Sequence, residues 1–199
     1  MEVGVKNNIL IVTDIFGYTN ATEILKHRFE STCKTVHILD PYDAKPMNFH
    51  DEAEAYEAFL QLCGFETYAK KCLNILDALS NETTILIGFS MGASALWKAL
   101  DGRKDKNIKA FYGFYASQIR RALEVKPHVP CTLIFPKYEK HFEVDTLIRE
   151  LDKHENITCI KTEYLHGFMN PFSINYDAKG YAKHCQFLDE AIFAMRFEN

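Results

Sequence analysis

The five residues Gly88-Phe89-Ser90-Met91-Gly92 constrain this chain more than any other stretch, because the apolar run Thr84 to Ile87 leads into them and a helix-like segment leaves them. A strand that turns at once into a helix brings its backbone hard against both neighbours. Glycines two residues either side of the serine remove the Cβ atoms that would collide there. The turn then leaves Ser90 exposed above the end of a sheet, where a nucleophile belongs. The competing reading of the same pentapeptide is a tight turn whose serine caps the following helix.

Apolar runs of strand length recur on both sides of this turn. Ile9 to Val12, Thr35 to Leu39, Ile108 to Tyr115, Cys131 to Phe135 and Ile157 to Thr162 read as strands. Helical spacing puts Ile24, Leu25 and Phe29 on one face of Ala21 to Glu30, and Ala55, Tyr56, Phe59 and Leu60 on one face of Asp51 to Leu62. Gly64 breaks that helix, and Thr67 to Leu79 follows with Tyr68, Cys72, Leu73, Ile75, Leu76 and Leu79 as a broad apolar face. Beyond Ser90, Met91 to Leu100 turns Ala95, Leu96, Ala99 and Leu100 inward. Val144 to Leu151 carries a short stripe, and Ala178 to Met195 closes the chain with Cys185, Leu188 and Ile192 on its core face. Strands alternating with helices require right-handed crossovers. The expected class is therefore α/β, with a mostly parallel central sheet covered by helices on both faces.

A chain of 199 residues needs no second domain to bury a core and a pocket, so one domain over 1–199 is expected. Its net charge of -4 provides no basic surface for nucleic acid. The Met1 to Asn8 start lacks the basic and apolar regions of a signal peptide, and no apolar run approaches the roughly 18 residues that span a bilayer. These features lead to a cytoplasmic protein with no membrane partner. The six cysteines are widely spaced, without C-x-x-C pairs or Cys/His clusters at zinc spacing. They read as reduced thiols, with no metal or other cofactor implied.

A serine hydroxyl is a poor nucleophile at neutral pH, so Ser90 requires a base within hydrogen-bond reach and a third group to orient it. Of the eight histidines, His166 follows the last strand directly. His27, His37, His154 and His184 fall on helices or strands, and His50, His128 and His141 in other loops. In folds of this kind the acid lies between serine and histidine in chain order, in the loop after the preceding strand. That loop, 136–143, offers Glu139 first and Glu143 second, with Asp145 third. The backbone N–H of Met91, after the nucleophile, and of Ile15, after the first strand, are the expected donors to a developing oxyanion. Phe16, Tyr18, Phe89, Tyr115 and Phe168 are candidates to line an apolar pocket, with core packing as the competing role.

Asp14-Ile15-Phe16-Gly17, Gly88-Phe89-Ser90-Met91-Gly92 and His166-Gly167-Phe168, in this order along nearly the whole chain, resemble the dienelactone hydrolase family. The resemblance implies a compact α/β-hydrolase lacking the first strands of larger members. It implies Ser90 and His166 as nucleophile and base, and Ile15 and Met91 as oxyanion donors. Serine stands where the prototype has cysteine, which favours esterase-like chemistry. Alignment through His141-Phe142 puts the family's aspartate at Lys140. Asn170 replaces an arginine that holds a substrate carboxylate. Asp14 matches an acidic position near the nucleophile, so its expected place is the substrate pocket, with a turn-capping role as the alternative. The expected activity is hydrolysis of a small ester, thioester or lactone. The alternative is a non-catalytic protein of the same fold that binds a small molecule or a protein partner.

Overall fold

The computed structural model describes residues 6–197. Residues 1–5 of the start read above for a leader pattern lie outside them. Apolar runs became strands, the central ones buried on both faces and the edge strands β2 and β6 only partly so. These are β1 (Asn8–Val12), β2 (Val36–Leu39), β3 (Thr84–Phe89), β4 (Ile108–Phe114), β5 (Cys131–Phe135) and β6 (Ile157–Lys161). Among the described residues they form one six-stranded sheet in the order β2-β1-β3-β4-β5-β6, every neighbouring pair parallel. Parallel neighbours need crossovers, and the amphipathic segments supply them. These helices are α1 (Asn20–Glu30), α2 (Glu52–Leu62), α3 (Gly64–Ala78), α4 (Met91–Ala99), α5 (Val144–Leu151) and α6 (Ala178–Ala194).

Alternation within the central strands divides the core in two. Ile9, Ile11, Ile85 and Ile87 face α1 and α6, where Leu25, Phe29, Cys185, Leu188 and Ile192 meet them. Leu10, Val12 and Leu86 face the opposite layer with Tyr68, Cys72, Leu96 and Leu147. Each such fully buried aliphatic side chain contributes about 1.5–3 kcal/mol. Among the described residues no helix is long and apolar enough to cross a membrane. Cys33, Cys72, Cys131 and Cys185 are buried thiols and Cys63 and Cys159 half-buried ones, all unpaired.

Four apolar positions assigned to core faces point elsewhere. Ile24 on α1, Tyr56 and Leu60 on α2, and Leu73 on α3 are exposed, whereas Leu25, Ala55, Phe59 and Cys72 beside them are buried. Each helix rests on the sheet along one side only. Its i,i+4 pair nearest the sheet takes the contact, and a neighbour 100° round the helix is left at the rim. The start of α3 also differs from the expected Thr67. Gly64 adopts φ +70°, a left-handed conformation open to glycine, so the second helix begins immediately after the break at Cys63.

The feature that positions the site is the approach of α4 to the sheet. A Cβ on Gly92 would overlap the carbonyl oxygens of Val12 and Thr13, and one on Gly88 would lie 2.6 Å from Ala93 Cα. Both glycines are thus needed for the helix to start flush against β1 and β3. Replacing Gly92 with alanine should cost about 1–3 kcal/mol or more, as overpacking does, lowering Tm by roughly 2–4 °C per kcal/mol. An unchanged Tm by calorimetry would show that α4 does not depend on this contact.

Candidate active site

Ser90 joins β3 to α4 with φ +49° and ψ −113°, a conformation costly for a residue with a Cβ. Its amide donates to Phe114 O at the end of β4 (2.9 Å), fixing the turn over the carboxyl edge of the sheet. The Ser90 hydroxyl makes no capping bond to α4. Instead Oγ lies 2.9 Å from His166 Nε2.

Strand pairing carries the acid and the histidine together. β5 and β6 are neighbours, and their pairing continues past both ends, with Thr162 N–H donating to Phe135 O (2.9 Å) and Lys137 N–H to Tyr164 O (2.6 Å). A tight loop closed by an antiparallel bridge between Glu139 and Phe142 presents the Glu139 carboxylate, whose Oε1 is 2.7 Å from His166 Nδ1. The side chain of Glu139 is 12% exposed and that of His166 32%, so the acid is sheltered while the imidazole still meets solvent. Asn175 Nδ2 donates to His166 O (2.9 Å). Ser173 Oγ, which also accepts from Asn175 N–H, is tied to Glu52 on α2. The Tyr115 ring sits 4.9 Å from the imidazole, centre to centre.

Of the three carboxylates weighed for the third position, the structure brings only Glu139 to the histidine. Glu143 is the exposed residue before α5 and makes no side-chain cap there. Asp145 pairs with Lys161 at 2.6 Å, and Lys140 is exposed.

The turn after β1 engages the amides of Phe16 and Gly17. Asp14 accepts the Phe16 N–H on Oδ1 (3.0 Å) and the Gly17 N–H on its backbone oxygen (3.2 Å). Between them the Ile15 N–H is left without a protein acceptor among the described residues, and the Met91 N–H at the start of α4 is in the same condition. Tyr42 Oη donates to Ile15 O (2.7 Å), which steadies that peptide plane. Tyr68 Oη donates to Thr13 O (2.9 Å), the carbonyl against which Gly92 rests.

Asp14 is buried, and burial pushes its carboxyl above the usual carboxylate range. The Asn170 and Phe16 hydrogen bonds and the nearby His166 oppose that shift. Asn170 Nδ2 donates to Asp14 Oδ2 at 2.6 Å, so Asp14 both caps the turn and faces the site. Asp14, Phe89 and Tyr115 line a small cavity of about 40 Å³ that Met169 and Asn170 help close. Phe16 and Tyr18 belong to a separate hollow with Phe172. Phe168, expected in the pocket, is fully buried instead, stacked on Tyr164 with ring centroids 5.0 Å apart. Gly167, at φ +89°, makes the turn that separates His166 at the edge from Phe168 in the core. Among the described residues no three His, Cys, Asp or Glu side chains are grouped as a metal site requires.

No protein-family model matches the chain. Over 129 residues it is 32% identical to the uncharacterized protein YczH of Bacillus subtilis (strain 168), a match that takes in 64% of this chain and 62% of that protein. The chain thus spans less than two thirds of that relative. Solved structures with a similar backbone include a dienelactone hydrolase-like promiscuous phosphotriesterase from metagenomic libraries, with TM-score 0.69 and 14% identity over 98% of this chain and 88% of that one. The dienelactone hydrolase of Anabaena variabilis ATCC 29413 matches with TM-score 0.65 and 14% identity over 94% and 85% of the two chains. Est1E of Butyrivibrio proteoclasticus, solved with ferulic acid bound, has TM-score 0.61 and 10% identity over 98% and 89%. At these identities the likeness is one of fold, and the fold is the α/β-hydrolase fold that dienelactone hydrolases also adopt.

Backbone strain at Ser90 yields a measurable prediction. Glycine there should relieve about 1–3 kcal/mol of strain against roughly 0.5–1 kcal/mol lost through a more flexible unfolded chain. Ser90→Gly should therefore melt about 2–4 °C above Ser90→Ala, which retains the strain. A Ser90→Gly protein melting below Ser90→Ala would show the turn to be relaxed.

Proposed function

We propose that this α/β-hydrolase fold is a serine hydrolase of a small ester, thioester or lactone, working as one domain through an acyl-enzyme on Ser90. The observation that carries the reading is the continuous chain from Ser90 Oγ to His166 Nε2 (2.9 Å) and from His166 Nδ1 to Glu139 (2.7 Å), in which the serine hydroxyl has no competing role as a helix cap. Neutral His166 keeps its proton on Nδ1, donated to Glu139, so Nε2 is free to accept the Ser90 proton as Oγ attacks the carbonyl carbon. Charge developing on the carbonyl oxygen meets the uncommitted amides of Ile15 and Met91. Each such donor typically lowers the barrier by about 3 kcal/mol. His166 then returns the proton to the leaving group, and water resolves the ester on Ser90 by the same route.

Solved neighbours named as a dienelactone hydrolase and a phosphotriesterase, and one binding ferulic acid, support hydrolysis as the reaction class. Serine in place of the cysteine of the family prototype favours carboxylic ester chemistry. The uncertain acid was the ground for a non-catalytic binding protein, and the Glu139 bond supports the enzyme instead. Six unpaired cysteines suit a reducing, cytoplasmic setting.

A fluorophosphonate probe should modify the peptide containing Ser90 and abolish turnover of short p-nitrophenyl esters. A protein that neither reacts nor hydrolyses them would sink the enzyme reading. Glu139→Gln should lower kcat by about a thousandfold or more, as loss of an orienting acid does. Glu143→Gln should stay within about twofold of the parent. Equal kcat in the two variants would assign the orienting role elsewhere.

A further inference from the structure

A groove of about 800 Å³ opens beside Met91 and extends along α4 to Asp101. Its volume falls within the range that encloses a drug-sized ligand. One wall is α2, which presents the exposed Tyr56 and Leu60, and the other is a 3₁₀ turn, Ser117–Arg121, with the segment after it. Two hydrogen bonds set that wall's register on α4. Gln118 N–H donates to Ser94 Oγ (3.2 Å) and Trp97 Nε1 donates to Ala122 O (2.9 Å). Arg120 therefore lies level with the middle of α4, between Ser94 and Trp97. Its guanidinium sits 5.0 Å from the centre of the Phe142 ring, in the loop that carries Glu139, and donates to Ser117 O (2.5 Å).

Two other cations nearby have partners. Arg103 pairs with Asp77 and Asp105, and Lys98, in the groove itself, pairs with Glu66 at 2.6 Å. Among the described residues no carboxylate forms an ion pair with Arg120 or Arg121. The nearby Glu139 is bound to His166. Asp101 accepts the Lys126 N–H (3.2 Å) at the far end of α4, and Glu124 also lines the groove. A half-buried guanidinium beside a like charge, in no direct ion pair and with its nearby carboxylate engaged by His166, is poised for an anion, and its planar fork suits carboxylate or phosphate. Tyr56 and Leu60 supply the apolar surface a linking chain would cover.

We propose that this groove is a substrate subsite, and that the substrate is an elongated ester or thioester whose distal anionic group is held by Arg120 and Arg121. Its apolar middle lies along Tyr56 and Leu60. This specificity rests on Ser90 being the nucleophile. It moves anion recognition away from Asn170 in the histidine loop, which is committed to Asp14, to the opposite side of the nucleophile turn.

The test compares the mono-p-nitrophenyl ester of suberic acid with its methyl-capped neutral twin. The native protein should prefer the acid by about tenfold in kcat/KM at low salt, chiefly through KM, with the preference fading as ionic strength rises. That ratio should fall to about one in the Arg120→Gln/Arg121→Gln variant, whatever happens to the shared rate, and should survive Arg149→Gln on α5. A ratio near one in the native protein, or one unchanged by the double substitution, overturns the proposal. Inhibition by octanoate against that by octyl phosphate tells which anion the pair prefers. If neither ester is cleaved, the Ser90 reading fails. Calorimetric binding of octyl phosphate then reads the groove alone: binding lost in the double variant retains the anion subsite, and equal or absent binding removes it. Native-like melting of each variant is the control for folding.

Discussion

The contact between Gly92 and the carbonyls of Val12 and Thr13 is the constraint from which the site's geometry follows. A helix that begins this close to a central strand places its first free amide, Met91, beside the end of β1. The chain leaving β1 there makes a turn whose own hydrogen bonds use the amides of Phe16 and Gly17 and leave that of Ile15. Tyr68 and Tyr42 hold the carbonyls of Thr13 and Ile15 from the neighbouring layer. Two donors are thus fixed by backbone and buried tyrosines, without mobile side chains. The same tight start forces Ser90 to φ +49°, lifting its hydroxyl away from the helix end it would otherwise cap.

Burial and charge are distributed unevenly around that turn. Asp14 lies beneath it and is held by Asn170; burial raises its carboxyl, against the opposing hydrogen bonds and the nearby His166. Glu139 approaches the imidazole from the other side, from a loop anchored to the histidine loop by Lys137 and Tyr164. Beyond it stands Arg120, whose positive charge is opposed by burial and by Arg121. Asp14, the imidazole of His166, Glu139 and the guanidinium of Arg120 therefore follow one another along the carboxyl edge. That order of charges supports a hydrolase whose substrate extends into the groove beside α4.

Most of the fold was legible because its information is local. Four-residue runs such as Ile9 to Val12 are too apolar for anything but a doubly covered strand, and every expected strand and helix appears with small changes at its ends. Depth within a helix face was less legible. Ile24, Tyr56, Leu60 and Leu73 satisfy helical spacing but lie exposed, because spacing marks a stripe without saying which edge of it meets the sheet. Phe168 was misplaced for a related reason: the turn at Gly167 decides which of two adjacent residues faces the core. Sequence order ranked Glu139 ahead of Glu143, yet alignment pointed to Lys140. The bridge that turns Glu139 toward His166 closes only when Phe142 folds back on it. Arg120 carried no local signal beyond a basic pair after an aromatic strand; that the nearby Glu139 is taken up by His166 instead is a property of the packed structure.

The central claim is that the strained turn delivers a serine able to take an acyl group from the substrate. Rapid-quench mixing with p-nitrophenyl acetate, followed by intact and peptide mass measurement, tests it most directly. The account predicts a burst of p-nitrophenolate approaching one equivalent per chain when deacylation is slower than acylation, with an acetyl group on the peptide that contains Ser90. Hydrolysis that proceeds under single-turnover conditions with no acetyl group on Ser90 at any quench time would contradict it.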